Sequence, residues 1–247
     1  MLRGIYTAAS GMLAQALKTD VLANNLANVD TPGYRRETTI VEAFPTQLLM
    51  REEKRQYTPI GTLGTGVLAV GVHNSFLPGR IYTTGNPLDV ALAGHGFFAI
   101  DTPGQRSYTR DGSFTINAGG WLVTQDGFRV LGENGPIYIG DAKGILIDSE
   151  GVVTVDGEVR DRLLIVEFLD RGGLVKQGGN RYTATPDAGM PFRYRSTVIQ
   201  GSLEMANVNT VREMVNLIEV QRAYESSQKV IQAFDETLGK LINVIGT

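Results

Sequence analysis

Both ends of the chain carry a long apolar stripe at helical spacing, and this pattern constrains the fold more than any other feature. In residues 2–29 the stripe recurs at alternating intervals of three and four residues, the spacing of the inward positions of a heptad. Its members are Leu2, Ile5, Ala9, Met12, Ala16, Thr19, Ala23 and Leu26. Because several are Ala, a partner helix can approach closely. A second apolar ridge of Leu13, Leu17 and Val21 predicts burial on more than one side.

The C-terminal end repeats this pattern. The run Thr210–Glu213 fits a capping box, in which the Thr and Glu side chains each satisfy a free backbone N–H at a helix start. The stripe that follows is Leu217, Val220, Tyr224, Ser227, Ile231, Phe234, Leu238, Leu241 and Ile245. A helix of about 35 residues, roughly 50 Å long, exceeds the usual globular helix and favours a coiled coil.

The middle of the chain has a different character. Residues 37–84 contain Pro, Gly and a short charge run, which indicates an extended connector. From residue 85 to 204, turn dipeptides separate short apolar runs, as is typical of a compact all-β unit. The clearest dipeptides are Asp111-Gly112, Asp126-Gly127 and Asp156-Gly157.

We therefore predict an α+β fold in which long N- and C-terminal helices form a coiled-coil core around an inserted all-β domain. The predicted divisions are an N-terminal core helix (1–36) that pairs with the C-terminal helix, a connector (37–84), a β-rich domain (85–204) and a C-terminal core helix (205–247).

The composition of the chain argues against several classes of function. The chain has no Cys, which excludes disulfides, thiolate zinc sites and cysteine nucleophiles. A net charge of −3 gives no case for nucleic acid, whose binders usually show a basic face. No apolar run approaches a membrane span of about 18 residues. Polar residues interrupt the N-terminal apolar segment, so we expect neither a cleaved signal peptide nor membrane insertion.

Candidate catalytic patterns are weak. The two His residues, His73 and His95, lie in different segments, which argues against a zinc or serine-triad site. Residues 94–99 match the G-x-G-x-x-A dinucleotide pattern, but a strand-like run follows where that motif needs a helix. Several Asp residues of the β region precede Gly in turns, which accounts for them without a glycosidase pair. We predict no catalytic, cofactor or metal residues, and no enzyme.

Three separated motifs give the chain a resemblance. The first motif is N-terminal and consists of Tyr6 to Met12, Asn24 to Asn28 and Thr31 to Tyr34. The second motif is central and consists of Asn86 to Leu92, Gly94 to Phe98, Tyr108 to Phe114 and Leu122 to Thr124. The third is Gly201 to Glu204, Asn207-Val208, Glu213 to Val215 and Gln221 to Glu225. In this order they resemble the bacterial flagellar basal-body rod and hook proteins over essentially the whole chain.

The resemblance implies a structural protein of the flagellum. Members of the family polymerise helically into a hollow rod that transmits torque from motor to hook, with the terminal helices paired in the inner layer. They are exported through the flagellar type III apparatus. The implied partners are copies of the chain and other rod or hook subunits, and the implied location is the extracytoplasmic basal body. No nucleic acid or cofactor is implied.

The subtype and two other functions stay open. The chain length is similar to that of the shorter rod proteins. The short connector and Ala43-Phe44-Pro45 favour the proximal rod. Tyr224 with its flanking Arg and Glu instead resembles the distal type. The alternatives are a peptidoglycan-directed hydrolase and a secreted β-rich binding module.

The expected assembly residues lie on both terminal helices and at the turn where the chain leaves the first. On the first helix they are Leu2, Ile5, Ala9, Met12, Ala16, Ala23, Asn24, Asn25, Leu26 and Asn28, and the exit turn is Thr31, Pro32, Gly33 and Tyr34. On the second helix they are Met214, Leu217, Val220, Gln221, Tyr224, Ile231, Phe234, Leu238 and Leu241.

The Asn residues and the exit turn raise separate questions. Asn24, Asn25 and Asn28 fall off the stripe, so their amides either bond to neighbouring subunits, face the channel or lie on a solvated surface. Pro32 disfavours helix at the residue before it, and Gly33 permits a positive φ. We expect Arg35 and Arg36 to complement the dipole at the helix end.

Overall fold

The computed structural model describes residues 2–53, 56–140 and 144–245. The two stripes form two α-helices, α1 (Leu2–Ala27) and α2 (Thr210–Ile245). They pack antiparallel, since Gly4 faces the ring of Phe234 and Asn25 lies near Glu213 at the opposite end of the pair. In the described residues, neither helix has a stretch long and apolar enough to cross a membrane.

In the described part of the chain, twenty strands lie between the helices. The first ten are β1 (Glu37–Ala43), β2 (Gln47–Glu53), β3 (Gln56–Leu63), β4 (Val67–Asn74), β5 (Ile81–Thr83), β6 (Val90–Ala93), β7 (Phe97–Thr102), β8 (Gln105–Thr109), β9 (Phe114–Ile116) and β10 (Leu122–Thr124). The others are β11 (Arg129–Val130), β12 (Ile145–Ile147), β13 (Val152–Val155), β14 (Glu158–Arg162), β15 (Ile165–Glu167), β16 (Leu174–Lys176), β17 (Arg181–Ala184), β18 (Phe192–Arg193), β19 (Thr197–Gln200) and β20 (Ser202–Glu204). Short 3-10 helices cover Arg171–Gly173 and Pro186–Ala188.

These elements group into two compact units. The helical unit consists of the described parts of Met1–Ala27, Glu37–His73 and Asn209–Thr247, and the β unit consists of those of Asn28–Arg36 and Asn74–Val208. Residues 28–36, which directly follow α1 in sequence, are therefore part of the β unit.

The helical unit combines α1 and α2 with two strand pairs. β1 pairs with β4, and β2 with β3. Together with β5, which belongs to the β unit, these strands place five strands in the segment predicted as a connector. The antiparallel register of the second pair includes Leu48↔Thr62 and Arg51↔Thr58.

The two helices bury different parts of their stripes. The α2 positions from Leu217 to Leu238 are half-buried at the predicted spacing. On α1 the most buried apolar residues are Ala14, Val21 and Leu22, while Ala16 and Ala23 are exposed.

The β unit is built on one nine-stranded sheet. Its main path is β16-β17-β8-β7-β11-β10-β9, with β15 also paired to β7 and β18 paired to β15. Smaller sheets are β12-β13-β14, β19-β6 and β20-β5. One core cluster is largely aliphatic and contains Ile100, Leu122 and Val153, and a second is rich in aromatic residues such as Phe97, Phe168 and Tyr182.

Two of the three predicted turns are confirmed, and one is wrong. Gly127 (φ 85°) closes the β10–β11 turn, and Asp156 (φ 50°) with Gly157 (φ 89°) closes the β13–β14 hairpin. Asp111-Gly112 does not join a hairpin, because β8 and β9 pair with other strands. Instead the Asp111 carboxylate accepts hydrogen bonds from Ser113. A turn dipeptide indicates where the chain reverses direction, but it does not determine which strands pair in the sheet.

The predicted cap of α2 is also wrong. α2 begins at Thr210, and the side chain of Asn209 accepts a hydrogen bond from the Arg212 N–H at 2.9 Å. The Glu213 side chain is buried near Asn25 instead of returning to the helix start. Asn is among the strongest capping residues, so the cap lies one residue earlier than the capping-box pattern indicates. By contrast, residues 97–102 form β7, which confirms that a strand and not a helix follows the glycine pattern.

Candidate functional site

Three buried charged side chains form the centre of the β unit's most distinctive site. The Glu204 carboxylate accepts from Arg35 Nη1 at 2.8 Å and from Arg110 Nη1 at 3.1 Å. The side chains of Arg35 and Glu204 are only 1% and 2% exposed. We call these three residues the ion cluster. It joins three residues that are far apart in sequence: Arg110 and Glu204 lie in the second and third motifs, and Arg35 directly follows the first.

Backbone contacts hold the exit turn against the same place. Gly33, at φ 69°, donates its N–H to the Glu204 carbonyl at 2.7 Å. Arg35 Nη1 also donates to the Leu77 carbonyl at 2.7 Å. Tyr34 is buried, with the Lys176 ammonium 4.0 Å from its ring centroid. The exit turn is therefore docked by both side-chain and main-chain bonds.

The Asn207 side chain forms a second set of hydrogen bonds next to the ion cluster. Its Oδ1 accepts from the Arg36 N–H at 2.6 Å, and its Nδ2 donates to the Ser75 and Leu77 carbonyls at 2.8 and 2.9 Å. One amide thus ties the end of the exit turn to the segment that precedes β5. The Leu77 carbonyl accepts from both Arg35 and Asn207, so the two side chains hold the same backbone segment.

The electrostatics of the ion cluster are unbalanced. Burial lowers the pKa of Arg110 to about 10, and the charge of Glu204 opposes that shift while Arg35 adds to it. Arg110 therefore remains charged at neutral pH, although two guanidinium groups share one carboxylate. A buried ion pair is weak evidence for net stability, but removing one member leaves an uncompensated charge.

The expectation that Arg35 complements the helix dipole did not include its ion pair. The Arg35 side chain is buried against Glu204 in the β unit. The roles of Glu204, Arg110 and Asn207 are not predictable from local sequence, although all three residues lie in the motifs that carry the resemblance. Their occurrence in these motifs was a signal, but which residues pair with one another is determined by the tertiary fold.

Replacing Gly33 with Ala is expected to undock the exit turn. A Cβ at Gly33 would collide with backbone atoms of Arg110 and Asp111, and the positive φ would add strain of about 1–2 kcal/mol. We expect the free energy of unfolding of the β unit to fall by more than about 2 kcal/mol. Urea unfolding followed by the fluorescence of Trp121, the chain's single Trp, measures this change.

The matched control is Gly127→Ala. Gly127 has a similar φ of 85° but open space around its missing Cβ, so strain alone applies. Equal losses in the two variants would show that the contact of Gly33 with the Arg110–Asp111 backbone is unimportant.

Asn25 forms a second site, within the helical unit. Its Nδ2 donates to the Glu37 carbonyl and its Oδ1 accepts from the Glu37 N–H, both at 2.8 Å. Asn25 is fully buried, whereas Asn24 is exposed and its amide reaches the Glu37 carboxylate at 3.3 Å. The Asn25 amide therefore acts as a backbone mimic that fixes the start of β1.

Asn25→Ala is expected to destabilise the helical unit by about 2 kcal/mol, because it leaves the partly buried N–H and C=O of Glu37 without these partners. Hydrogen exchange at the Glu37 amide is the measurement, and we expect it to become at least ten times faster. Asn24→Ala, at an exposed neighbour, is the control and is expected to change stability by less than about 0.5 kcal/mol. Similar exchange rates at Glu37 in both variants would contradict this role for Asn25.

The other predicted assembly residues occupy varied positions. On α1, Ile5, Ala9, Met12 and Leu26 are half-buried, and on α2 so are Leu217, Val220, Tyr224, Ile231, Phe234 and Leu238. Met214 and Gln221 are exposed. In the exit turn, Asn28 accepts from the Thr31 N–H and hydroxyl, and Asn180 donates to the Pro32 carbonyl. The side chains of Leu2 and Leu241 lie outside the described residues.

The described residues give no metal-binding group of three or more His, Cys, Asp or Glu side chains. His73 and His95 are both exposed and lie in different units.

Comparison with known proteins agrees with this organisation. Three family models match: "Flagella basal body rod protein" over residues 5–35, "Flagellar hook protein FlgE/F/G D1 domain" over 91–155, and "Flagellar basal body rod FlgEFG protein C-terminal" over 199–244. The ion cluster takes Arg35, Arg110 and Glu204 from these three matched regions, one from each.

Relatives match along nearly the whole chain. The flagellar basal-body rod protein FlgG of Agrobacterium fabrum is 37% identical, covering 95% of this chain and 96% of its own length. FlgG of Bacillus subtilis is 33% identical with 99% of each chain covered. The rod protein FlgF of Caulobacter vibrioides is 34% identical, covering 98% and 97%. The chain belongs to the flagellar basal-body rod protein family, and its role is structural.

Proposed function

We propose that this chain polymerises helically into a hollow rod segment that transmits torque from the flagellar motor to the hook. The observation that carries the proposal is the apolar surface left on both helices of the helical unit. On α1, Tyr6 and Leu13 are 73% and 74% exposed. On α2, Val211, Met214, Val215 and Ile218 form an exposed apolar patch at helical spacing.

The strand pairs of the helical unit extend this surface. The β2–β3 hairpin exposes Leu48, Met50, Tyr57 and Ile60. An isolated two-stranded hairpin is marginally stable in water, and contiguous exposed apolar patches usually mark interaction sites. Residues 37–84 are thus suited to contacts with adjacent subunits as well as to connecting the domains.

The exposed apolar residues of the helices and of the β2–β3 hairpin favour contacts in which one surface of a subunit binds a different surface of the next subunit. Such head-to-tail contacts generate open helical filaments when the rotation does not close. In this proposal the terminal helices form the coiled-coil core of the rod, and the assembly residues of α1 and α2 provide its contacts. Other rod and hook subunits and the flagellar type III export apparatus are the proposed partners, and the chain has no enzymatic activity.

We favour the proximal rod over the distal rod. The short connector with Ala43-Phe44-Pro45 supports the proximal assignment, while relatives named FlgG and FlgF both match the chain closely. Locating the protein in isolated basal bodies with a position-specific label separates the two segments.

Electron microscopy of the concentrated protein tests polymerisation. We expect hollow helical filaments, and wild-type protein that stays dispersed under all assembly conditions, including on isolated rod fragments, would contradict the proposal. An assay against purified peptidoglycan is expected to show no turnover, and measurable turnover would favour the hydrolase alternative.

A further inference from the structure

Two adjoining pockets form a groove on the β unit, and no residue of the ion cluster lines either of them. Their volumes are about 420 and 360 Å3, which lie within the usual range of ligand pockets. Both pockets are lined by Glu133, Leu164 and Arg193. We call the two pockets together the arginine groove, because their lining includes Arg106, Arg162, Arg193 and Arg195.

Hydrogen bonds hold the walls of the arginine groove in place. In the turn at residues 132–135, the Asn134 N–H and side-chain amide donate to the Asp161 carboxylate at 3.2 and 3.0 Å. A second wall follows β18, where the Tyr194 N–H donates to the Ile165 carbonyl at 3.0 Å. The groove is therefore formed before a ligand binds, which lowers the entropy cost of binding.

The arginine groove is positively charged, in a chain whose net charge is −3. Its four guanidinium groups are accompanied by the carboxylates of Glu133 and Glu150, which leaves two positive charges in excess. A cleft in which charge of one sign predominates attracts ligands of the opposite sign. The composition of the groove therefore favours an acidic ligand.

Two of the four arginines have carboxylate partners. Arg193 lies 3.5 Å from Glu133, a residue of both pockets, and Arg162 lies 3.0 Å from Glu150. The side chains of Arg193 and Glu150 are 68% and 63% exposed, and ion pairs in contact with solvent are weak. A carboxylate of a ligand can therefore replace Glu133 as the partner of Arg193.

The other two arginines, Arg106 and Arg195, are available to a ligand. Each lines a different pocket and is exposed, and neither side chain forms a hydrogen bond or ion pair within the part of the chain that the structure describes. Leu164 is half-buried and lines both pockets, so it offers an apolar contact between the two charges. A ligand that pairs with both guanidinium groups must extend through both pockets and carry two separated acidic groups.

We propose that the arginine groove binds an extended acidic segment of a partner protein. One carboxylate of the segment pairs with Arg195 and another with Arg106, through the parallel hydrogen bonds that guanidinium groups form with carboxylates. Clusters of arginine recognise acidic peptide motifs in other proteins in the same way.

The two glutamates of the groove favour a peptide over a nucleic acid. A nucleic-acid strand carries a negative charge at every nucleotide and would place phosphates against Glu133 and Glu150. A peptide can carry neutral residues at those points and acidic residues opposite Arg106 and Arg195. A single small anion would occupy one pocket and leave the second free arginine without a partner.

The test is a binding titration of the dilute, unassembled full chain with fluorescein-labelled pentapeptides. The set carries two Glu residues at every possible pair of positions and Val elsewhere, because Val favours an extended chain. A matched set carries Gln in place of Glu. Fluorescence anisotropy is measured at about 0.15 M ionic strength, where distant charges are screened. We expect at least one Glu peptide to bind saturably, with a Kd of about 100 µM or tighter, and about tenfold more tightly than its Gln counterpart.

Substitutions in the groove locate the bound peptide. Arg106→Gln and Arg195→Gln are each expected to weaken binding about tenfold, because each removes a charge-assisted contact. Glu133→Gln is expected to tighten binding about threefold, because it removes the carboxylate that competes for Arg193. All three substituted residues are exposed, so the Trp121 unfolding transition is expected to stay unchanged.

Arg160→Gln and Glu158→Gln are the matched controls. They make the same changes of charge at an exposed ion pair that lines neither pocket, with its atoms 3.4 Å apart. Both are expected to leave the peptide affinity unchanged.

Three results would overturn the proposal: no saturable binding by any Glu peptide, equal binding of the Gln peptides, or equal effects of the groove and control substitutions. If no peptide binds and the two groove arginine substitutions weaken self-association, the groove is instead a contact between copies of the chain, which also overturns the proposal. The titration uses unassembled protein, so its outcome is independent of whether the chain forms a rod.

Discussion

Replacing Glu204 with Gln is expected to lower the free energy of unfolding of the β unit by about 3–5 kcal/mol. The substitution keeps the shape of the side chain and removes its charge. It leaves the guanidinium groups of Arg35 and Arg110, both buried, without a counter-ion at 2.8 and 3.1 Å. Urea unfolding followed by Trp121 fluorescence measures the loss, because the chain's single Trp lies in the β unit.

Glu158→Gln is the control for this charge removal. Glu158 also pairs with an arginine, but its side chain is 75% exposed, and surface pairs contribute about 1 kcal/mol or less. A loss below about 1 kcal/mol in both variants would show that the ion cluster does not hold the exit turn in place.

The ion cluster also determines what the β unit needs in order to fold. A fragment limited to the predicted β-rich domain, residues 85–204, retains Arg110 and Glu204 but lacks Arg35 and the Gly33 contact. It also lacks β5, the strand that pairs with β20. The β unit is thus completed by a segment that precedes β1 in sequence, and the N-terminal motif is as much a part of it as the central one.

Periodicity was sufficient to predict the two terminal helices. The intervals of three and four residues located both helices, and the half-buried positions of α2 follow the predicted stripe from Leu217 to Leu238. The Asp126-Gly127 and Asp156-Gly157 turns were predictable because positive φ angles at those positions require particular residues.

The site was less predictable, because its partners are set by tertiary contacts. Arg35 and Glu204 are separated by most of the chain, and no local pattern indicates that a charged residue will be buried against a distant one. Asn25 is a nearer example: its partner is the backbone of Glu37, and a backbone group has no signature in the sequence. The neighbouring residues Asn24 and Asn25 at the end of α1 therefore have different environments: Asn24 is exposed and Asn25 is buried.

Met214→Asp is expected to prevent assembly and leave the β unit intact. Met214 is 48% exposed on α2, beside Val211, Val215 and Ile218, so the substitution costs little in the isolated chain. In a filament whose subunits cover this patch, it buries an unpaired charge at every contact, at about 2 kcal/mol or more each. We expect the critical concentration for polymerisation to rise at least about 30-fold, measured by sedimentation and electron microscopy.

Ile231→Asp and Gln228→Asp complete the experiment. Ile231 is half-buried on the predicted stripe, so its substitution is expected to block assembly and also to weaken the helical unit. Gln228→Asp adds the same charge at an exposed polar position of α2 and is expected to assemble nearly as well as wild type. In all three variants the Trp121 transition is expected to stay within about 0.5 kcal/mol of wild type. Normal filaments from both Met214→Asp and Ile231→Asp would refute the assignment of α2 to the assembly surface, because an unpaired carboxylate is not tolerated in a dry helical interface.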